Sequence, residues 1–157
     1  MLPSKKAWFY QMTDLVQPAG ILLGVTASSR EEAVTLCGEL LKRLGCISQE
    51  YVDAMWEREQ IFSSFIGNGV AIPHGTDASR VFVKQTQVVM VRFESPIDWD
   101  GEEVSICFGI ASNGDEHGEI LANIANLLLD DDDFEKLMSE NDANVLVELL
   151  SKESADT

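Results

Sequence analysis

Two β-rich runs in the middle of the chain limit the folds that it can adopt. Residues 87–93 and 104–111 are dominated by apolar and β-branched side chains, and their only charge is that of Arg92. The intervening residues 96–101, Pro-Ile-Asp-Trp-Asp-Gly, are of the types that form turns. The pattern therefore predicts a β-hairpin whose turn covers 96–101.

Segments with helical periodicity lie on both sides of this hairpin. Ser29 to Glu32 fits a capping box, in which Ser29 is the N-cap and Glu32 reaches back to the Ser29 amide. Apolar residues then recur every three or four positions as far as Leu44, and Gly45 is a natural stop. The other predicted elements are a strand at 21–25, a short strand within 67–76, a helix capped by Ser48, and helices from Glu116, at 133–138 and at 143–150. This order predicts a single α/β domain, with a mixed β-sheet flanked by helices in an α/β sandwich.

The acidic residues are concentrated in the second half of the chain. The 157 residues carry a formal net charge of −16, and residues 94–157 hold eighteen acids against two lysines. Nucleic acid and anionic membrane surfaces are excluded as partners, because both need basic residues. No apolar run approaches the roughly 20 residues of a membrane span, so no membrane insertion is expected. The three cysteines lie in or beside apolar stretches without a C-x-x-C pair, which is typical of buried thiols in the cytoplasm.

The common cofactor and metal motifs are absent from the sequence. It contains no phosphate-binding G-x-x-x-x-G-K-[ST] loop, no G-x-G-x-x-G after a strand and no H-E-x-x-H. The run Asp130–Asp133 lacks the spacing of a calcium loop, and we interpret it as a solvated helix N-terminus where the helix dipole favours acids. We therefore expect neither a cofactor nor a metal site.

His74 occupies an unusual position directly after the apolar segment 70–72. Pro73 restricts the backbone before it, and Gly75 lets the chain turn without a clashing side chain. Such a position holds an imidazole rigidly at the end of a strand, where sites in α/β folds commonly lie. The alternative is that His74 is an incidental turn residue.

His117 is the second of the two histidines and lies in the first turn of the helix that begins near Glu116. It precedes Ile120 by three residues, which places it on the apolar face, so a core or capping histidine is the alternative to a functional one. The helix N-terminus disfavours an imidazolium there, whereas Glu116 and Glu119 favour it.

Arg58 lies on the second predicted helix between Glu57 and Glu59. Taken alone, this arrangement favours a surface ion pair within the helix, worth about 0.3–0.5 kcal/mol. The functional alternative is a guanidinium that binds an anionic ligand.

These residues lie in segments that resemble a known family, the EIIA domains of the mannitol/fructose class of the bacterial phosphoenolpyruvate-dependent sugar phosphotransferase system. Residues 67–76, Gly-Asn-Gly-Val-Ala-Ile-Pro-His-Gly-Thr, match the family's phosphorylation motif throughout, and Glu57-Arg58-Glu59 stands where the family has an R-E segment. Residues 108–111 and 115–117 resemble a G-I-A…[ND]-E-H pattern that is most characteristic of the mannitol branch. We expect an EIIA type-2 domain at 14–151, with an N-terminal extension at 1–13 and a short tail at 152–157.

The resemblance implies a phosphotransferase that works through a phosphohistidine. His74 would receive a phosphoryl group from phospho-HPr and pass it to a cysteine of an EIIB domain during mannitol-type or fructose-type sugar uptake, and His117 and Arg58 would line the same site. The lack of an ATP-binding motif agrees with this, since the donor is a protein. Docking with a membrane EIIB/EIIC complex is compatible with it as well.

Two alternatives stay open at this point. One is a regulatory EIIA-like phosphoprotein that controls a partner without sugar transport, which is consistent with the absence of fused transport domains. The other is a hydrolase that uses His74 and His117 as base and acid.

The acidic half of the chain further suggests that a partner with basic residues around its active histidine is steered to the site.

Overall fold

The computed structural model describes residues 15–114 and 116–151, except for the side chains of Glu116 and His117. In this part of the chain, five strands form one mixed sheet. The strands are β1 (Ile21–Val25), β2 (Phe65–Gly67), β3 (Val70–Ala71), β4 (Gln87–Trp99) and β5 (Glu102–Ala111). Across the sheet they follow the order β1-β4-β5-β3-β2. Strands β4 and β5 are antiparallel, while β1 runs parallel to β4 and β3 runs parallel to β5.

Helices cover both faces of this sheet. They are α1 (Arg30–Arg43), α2 (Gln49–Ile61), α3 (Glu116–Leu129), α4 (Asp131–Ser139) and α5 (Ala143–Leu150), with 3-10 turns at Pro18–Gly20 and Asp77–Phe82. Alternate residues of β4 point to opposite faces: Val89 and Val91 pack with α1 and α2, whereas Val88 and Met90 pack with α3, α4 and α5. The predicted single-domain α/β sandwich with a mixed sheet is therefore confirmed.

The hairpin turn is shorter than predicted. Strand β4 continues through Pro96 to Trp99, so the turn is Asp100–Gly101 and not the whole segment 96–101. The pairing register shifts between Arg92 and Ile97, and a bulge of this kind tolerates a proline because one backbone N–H is not needed there. Asp100 and Gly101 both have positive φ, 55° and 93°, which is typical of a two-residue hairpin loop.

Residues 65–71 form two short strands where the sequence predicts one. Strand β2 pairs antiparallel with β3, and the chain reverses at Asn68, whose φ is 52°. The amide of Ile72 donates to the carbonyl oxygen of Ser64 at 3.0 Å and extends this pairing. A strand of three residues is too short to show a periodicity, and its existence depends on the partner strand.

The helix caps agree with the predictions in part. Ser29 Oγ accepts from the amide of Glu32 at 3.1 Å, as predicted. The Glu32 carboxylate, however, accepts from both the amide and the hydroxyl of Ser28 and not from the Ser29 amide, because Ser28 offers two donors together. Ser48 stands at the N-cap of α2, but its side chain makes no capping hydrogen bond. Asp130 caps α4 by accepting from the Asp133 amide at 3.0 Å, which confirms the helix N-terminus interpretation of this acidic run.

Cys37, Cys46 and Cys107 are buried thiols, as the sequence predicts. Among the residues that the structure describes, none of the helices has the length and apolar character needed to cross a membrane.

Candidate functional site

A cavity of about 290 Å³ opens beside the end of β3, and polar side chains dominate its lining. Helix α2 contributes two residues, the segment after β3 and the following 3-10 turn contribute five, and the end of β5 contributes one. The lining residues are Tyr51, Arg58, His74, Gly75, Thr76, Asp77, Arg80 and Ser112. The structure thus brings two of the three predicted site residues, His74 and Arg58, into one pocket.

The backbone around His74 is attached to the sheet. The amide of Ile110 in β5 donates to the carbonyl oxygen of Pro73 at 2.9 Å, and His74 pairs in parallel with Ile110 as an isolated bridge. His74 is half-buried. The imidazole therefore projects from a backbone that the central strand of the sheet holds in place.

The imidazole of His74 has a defined tautomer. Its Nδ1 lies 2.7 Å from the carbonyl oxygen of Ile72, and since a carbonyl only accepts, Nδ1 carries the proton and the ring's lone pair lies on Nε2. Burial lowers the pKa of His74, and the charge of Arg58 adds to this. The bond to Ile72 and the carboxylates of Glu59 and Asp77 act in the opposite direction without reversing it. The ring is thus neutral near pH 7, with Nε2 as its nucleophilic atom.

Tyr51 connects the His74 loop to α2 and β5. Its hydroxyl donates to the carbonyl oxygen of Ile110 at 2.7 Å and accepts from the amide of Gly75 at 2.9 Å. Burial raises the pKa of Tyr51, so the phenol stays protonated and can make both bonds. Sequence spacing does not single out Tyr51, because its position within α2 is that of an ordinary core residue.

Gly75 lies where a side chain has no room. A Cβ at this position would come within 2.4 Å of Ser79 Oγ and 2.6 Å of Tyr51 Cε2. The sequence interpretation of Gly75 as a residue that avoids a clash is confirmed. The clash comes from packing and not from the backbone conformation, since Gly75 is not among the residues with positive φ.

Arg58 is directed to the pocket and not to an ion pair on its own helix. Its Nη1 donates to the carbonyl oxygen of Phe62, and its guanidinium carbon lies 5.5 Å from the centroid of the Phe62 ring. Neither of the two ion pairs among the described residues includes Arg58. The surface ion-pair interpretation, which the sequence alone favoured, is therefore wrong, because the guanidinium contacts Phe62 at the C-terminal end of its own helix instead of a carboxylate.

Glu59, the neighbour of Arg58, is buried at 2% exposure. Its carboxylate accepts from the Ser64 amide at 2.9 Å, from the Ser64 hydroxyl, and from Trp99 Nε1 at 3.0 Å. These bonds join the C-terminal end of α2 to the following loop and to β4. Glu59 thereby holds the turn of helix that carries Arg58, a role that sequence spacing does not reveal.

Arg80 is a second cation at the pocket, which the sequence analysis did not single out. Its Nη2 lies 3.4 Å from Asp77 Oδ1, and the two side chains are 45% and 99% exposed. Both residues belong to the 3-10 turn that follows His74. The described lining of the pocket thus includes two guanidinium groups and one carboxylate together with a neutral imidazole.

The side chain of His117 lies outside the described residues, as does all of Asp115. The backbone of His117 belongs to the first turn of α3, which agrees with the predicted helix, but its place in the site stays a prediction. Ser112, which is buried at the end of β5, lines the cavity from that side. In the ranges that the structure describes, no three His, Cys, Asp or Glu side chains are grouped so that they could hold a metal ion.

Comparisons with known proteins show the family of the chain. Residues 14–153 match the family model described as "Phosphoenolpyruvate-dependent sugar phosphotransferase system, EIIA 2". The chain is 39% identical over 126 residues to a mannitol-specific phosphotransferase enzyme IIA component of Halalkalibacterium halodurans, covering 80% of this chain and 87% of the relative. It is 32% identical over 144 residues to the component of the same name in Staphylococcus aureus, covering 92% of this chain and all of the relative.

Two solved structures show the same fold. One is the complex of enzyme IIAMTL and phosphorylated enzyme IIBMTL from Escherichia coli, with a TM-score of 0.78, 29% identity, and coverage of 87% of this chain and 99% of that one. The other is the nitrogen regulatory protein IIA-Ntr from Neisseria meningitidis, with a TM-score of 0.76, 28% identity, and coverage of 88% and 98%.

Proposed function

The chain belongs to the EIIA 2 family of the phosphoenolpyruvate-dependent sugar phosphotransferase system, and on this premise we propose that it is a mannitol-type EIIA component that carries a phosphoryl group on His74. The observation that carries the assignment of His74 is the 2.7 Å contact between its Nδ1 and the Ile72 carbonyl oxygen, within a pocket that also holds Arg58. This contact leaves the lone pair on Nε2, so the neutral ring can attack a phosphoryl donor through that atom.

The transfer onto His74 needs little covalent help from the protein. Nε2 attacks the phosphorus of the phosphohistidine of HPr, the new N–P bond forms as the N–P bond of the donor breaks, and the donor imidazole leaves with the electron pair. The proton on His74 Nδ1 remains in its bond to Ile72 throughout. Arg58 places its delocalised charge beside the equatorial oxygens, and His117 donates to them from the N-terminus of α3.

The second transfer reverses these roles. A cysteine thiolate of EIIB attacks the phosphorus, a P–S bond forms, and His74 Nε2 takes back the electron pair of its N–P bond. Since Nδ1 keeps its proton, His74 leaves as the neutral imidazole that can accept the next phosphoryl group. The EIIB acceptor is supported by the solved complex of a related IIA protein with a phosphorylated IIB protein. HPr as the donor and the cytoplasm as the location follow from the family's role in sugar uptake.

The transport role is favoured over the regulatory one. The relatives matched by sequence, at 39% and 32% identity, are named mannitol-specific enzyme IIA components. An assay of phosphoryl transfer from the phosphorylated chain to a mannitol EIIB distinguishes the two functions. Rapid labelling of the EIIB cysteine is expected, and a phosphorylated chain that cannot label it would favour regulation.

The experiment that tests the assignment is labelling with phosphoenolpyruvate, Enzyme I and HPr. The wild-type chain should gain one acid-labile phosphoryl group, and His74→Ala should gain none because the nucleophile is lost. His117→Ala is the matched histidine variant, and it should still be labelled, although more slowly. A phosphoryl group on His74→Ala would overturn the assignment, and unchanged rates for His117→Ala in both directions would make His117 a core residue only.

A further inference from the structure

We propose that Arg80 is a second guanidinium that contacts the phosphoryl group while it passes through the pocket, with Asp77 as its partner only until that group arrives. This inference rests on the proposed function, because it names a further residue for the same transfer. Neither the phosphorylation motif nor the R-E segment includes Arg80.

Arg80 and Arg58 line the same cavity from different elements. Arg58 comes from α2, whereas Arg80 comes from the 3-10 turn that starts three residues after His74. The charge of Arg80 also acts against the burial that raises the pKa of Tyr51, whose hydroxyl accepts from Gly75. The two guanidinium groups are therefore placed to approach a group on His74 from two directions.

The two arginines are held with different strength. Arg58 donates to a backbone carbonyl and packs over the Phe62 ring, so its orientation is restricted. Arg80 has a single ion-pair contact, at 3.4 Å, and its carboxylate partner Asp77 is 99% exposed. Exposed ion pairs contribute little, because water solvates both charges well. Arg80 can therefore leave Asp77 at small cost.

A phosphoryl group is a stronger partner for Arg80 than Asp77 is. Near pH 7 a phosphorylated side chain carries close to two negative charges and three acceptor oxygens, against one charge on a carboxylate. A guanidinium binds two such oxygens with parallel N–H donors. Asp77 stays hydrated when Arg80 turns away, because nearly all of its side chain is in water. The exchange thus replaces a weak surface pair by a charge-assisted contact in the pocket.

Single-turnover transfer from phospho-HPr tests this role. Arg80→Gln should lower the transfer rate at saturating phospho-HPr by roughly 10–100-fold, the loss of one charge-assisted contact, while the donor concentration that gives half-saturation changes little. Arg80→Lys should recover part of the rate, since lysine keeps the positive charge but lacks the two parallel N–H donors of a guanidinium. The ³¹P resonance of the phosphohistidine should also shift in Arg80→Gln, because a donor to its oxygens is missing.

Arg43→Gln is the matched control, since it removes an exposed arginine of α1 that does not line the pocket. It should transfer at the wild-type rate. If Arg80→Gln keeps the wild-type rate at saturating donor and only needs more donor to reach it, Arg80 serves in docking and the inference is overturned. It is also overturned if Arg80→Gln and Arg43→Gln slow the transfer equally. If wild-type chain is not labelled on His74 at all, the proposed function and this inference fall together.

Discussion

Replacing Gly75 by alanine tests how tightly the structure holds the nucleophile. The added Cβ would lie 2.4 Å from Ser79 Oγ and 2.6 Å from Tyr51 Cε2, well inside van der Waals contact. Ser79 cannot turn away freely, because its hydroxyl donates to the carbonyl oxygen of Thr76 at 2.6 Å. Tyr51 is 3% exposed and its hydroxyl is bonded on both sides. The methyl group must therefore displace the backbone beside His74.

The expected loss of stability has two parts. Forcing a methyl group into a packed site costs about 1–3 kcal/mol, and weakening the hydrogen bond between Gly75 and Tyr51 adds about 0.5–1.5 kcal/mol. Gly75→Ala should thus lower the free energy of unfolding by about 2–4 kcal/mol and the Tm by roughly 4–16 °C. Because Gly75 is bonded directly to His74, a displacement near 1 Å should also slow phosphoryl acceptance about 100-fold.

Gly118→Ala is the matched control for this substitution. Gly118 lies in α3, and a Cβ there would meet no atom within 4 Å. Alanine is favoured over glycine in helices, so this variant should gain up to about 1 kcal/mol. Urea unfolding of both variants measures the stabilities, and single-turnover labelling measures the rates. A Gly75→Ala protein that is as stable as wild type and accepts phosphate at the wild-type rate would refute the packing argument.

Two further predictions concern charge. The rate of phosphoryl acceptance should fall as the pH drops through the pKa of His74, because only the neutral ring attacks. Burial lowers this pKa below its ordinary value of 6.5. Arg58→Gln removes a charge that lowers this pKa, so the acid limb of the pH–rate profile should move to higher pH. Asp77→Asn removes a charge that raises this pKa, so the acid limb should move to lower pH. If the acid limb stays in place in both variants, the electrostatic account is wrong. At subsaturating phospho-HPr, the rate of phosphoryl acceptance should also fall as ionic strength rises. A rate that does not vary with salt would exclude steering by the acidic half of the chain.

Local patterns in the sequence predicted most of the fold. Helix α1 was found because its apolar spacing, the Ser29 cap and the Gly45 stop all lie within one short segment. Strand β2 was missed, since three residues carry no periodicity and the strand exists only by pairing with β3. The hairpin turn was placed too widely because Pro96 is an ordinary turn residue, and only the bulge in β4 shows how a strand can contain it.

The site was predictable where a residue's neighbours in the chain determine its role. His74 was identified from Pro73 and Gly75 beside it, and the structure shows why that segment is rigid. Tyr51 was not identified, because its hydroxyl partners are 24 and 59 residues away in the sequence. Arg58 differs, because its contact with Phe62 is only four residues away, but the pocket that it lines is formed with residues distant in the sequence, such as His74 and Arg80.

Among the residues that the structure describes, the cavity lining is opposite in charge to the whole chain. The whole protein has a net charge of −16, yet the charged residues that line the cavity are Arg58, Arg80 and Asp77. These two distributions act at different distances: the acidic surface attracts a basic partner before contact, whereas the guanidinium groups act on the phosphoryl oxygens after docking. Salt screens exposed charges separated by more than about 8–10 Å far more than it screens contacts in a closed interface. Docking should therefore weaken with ionic strength, while the transfer step at saturating donor keeps its rate.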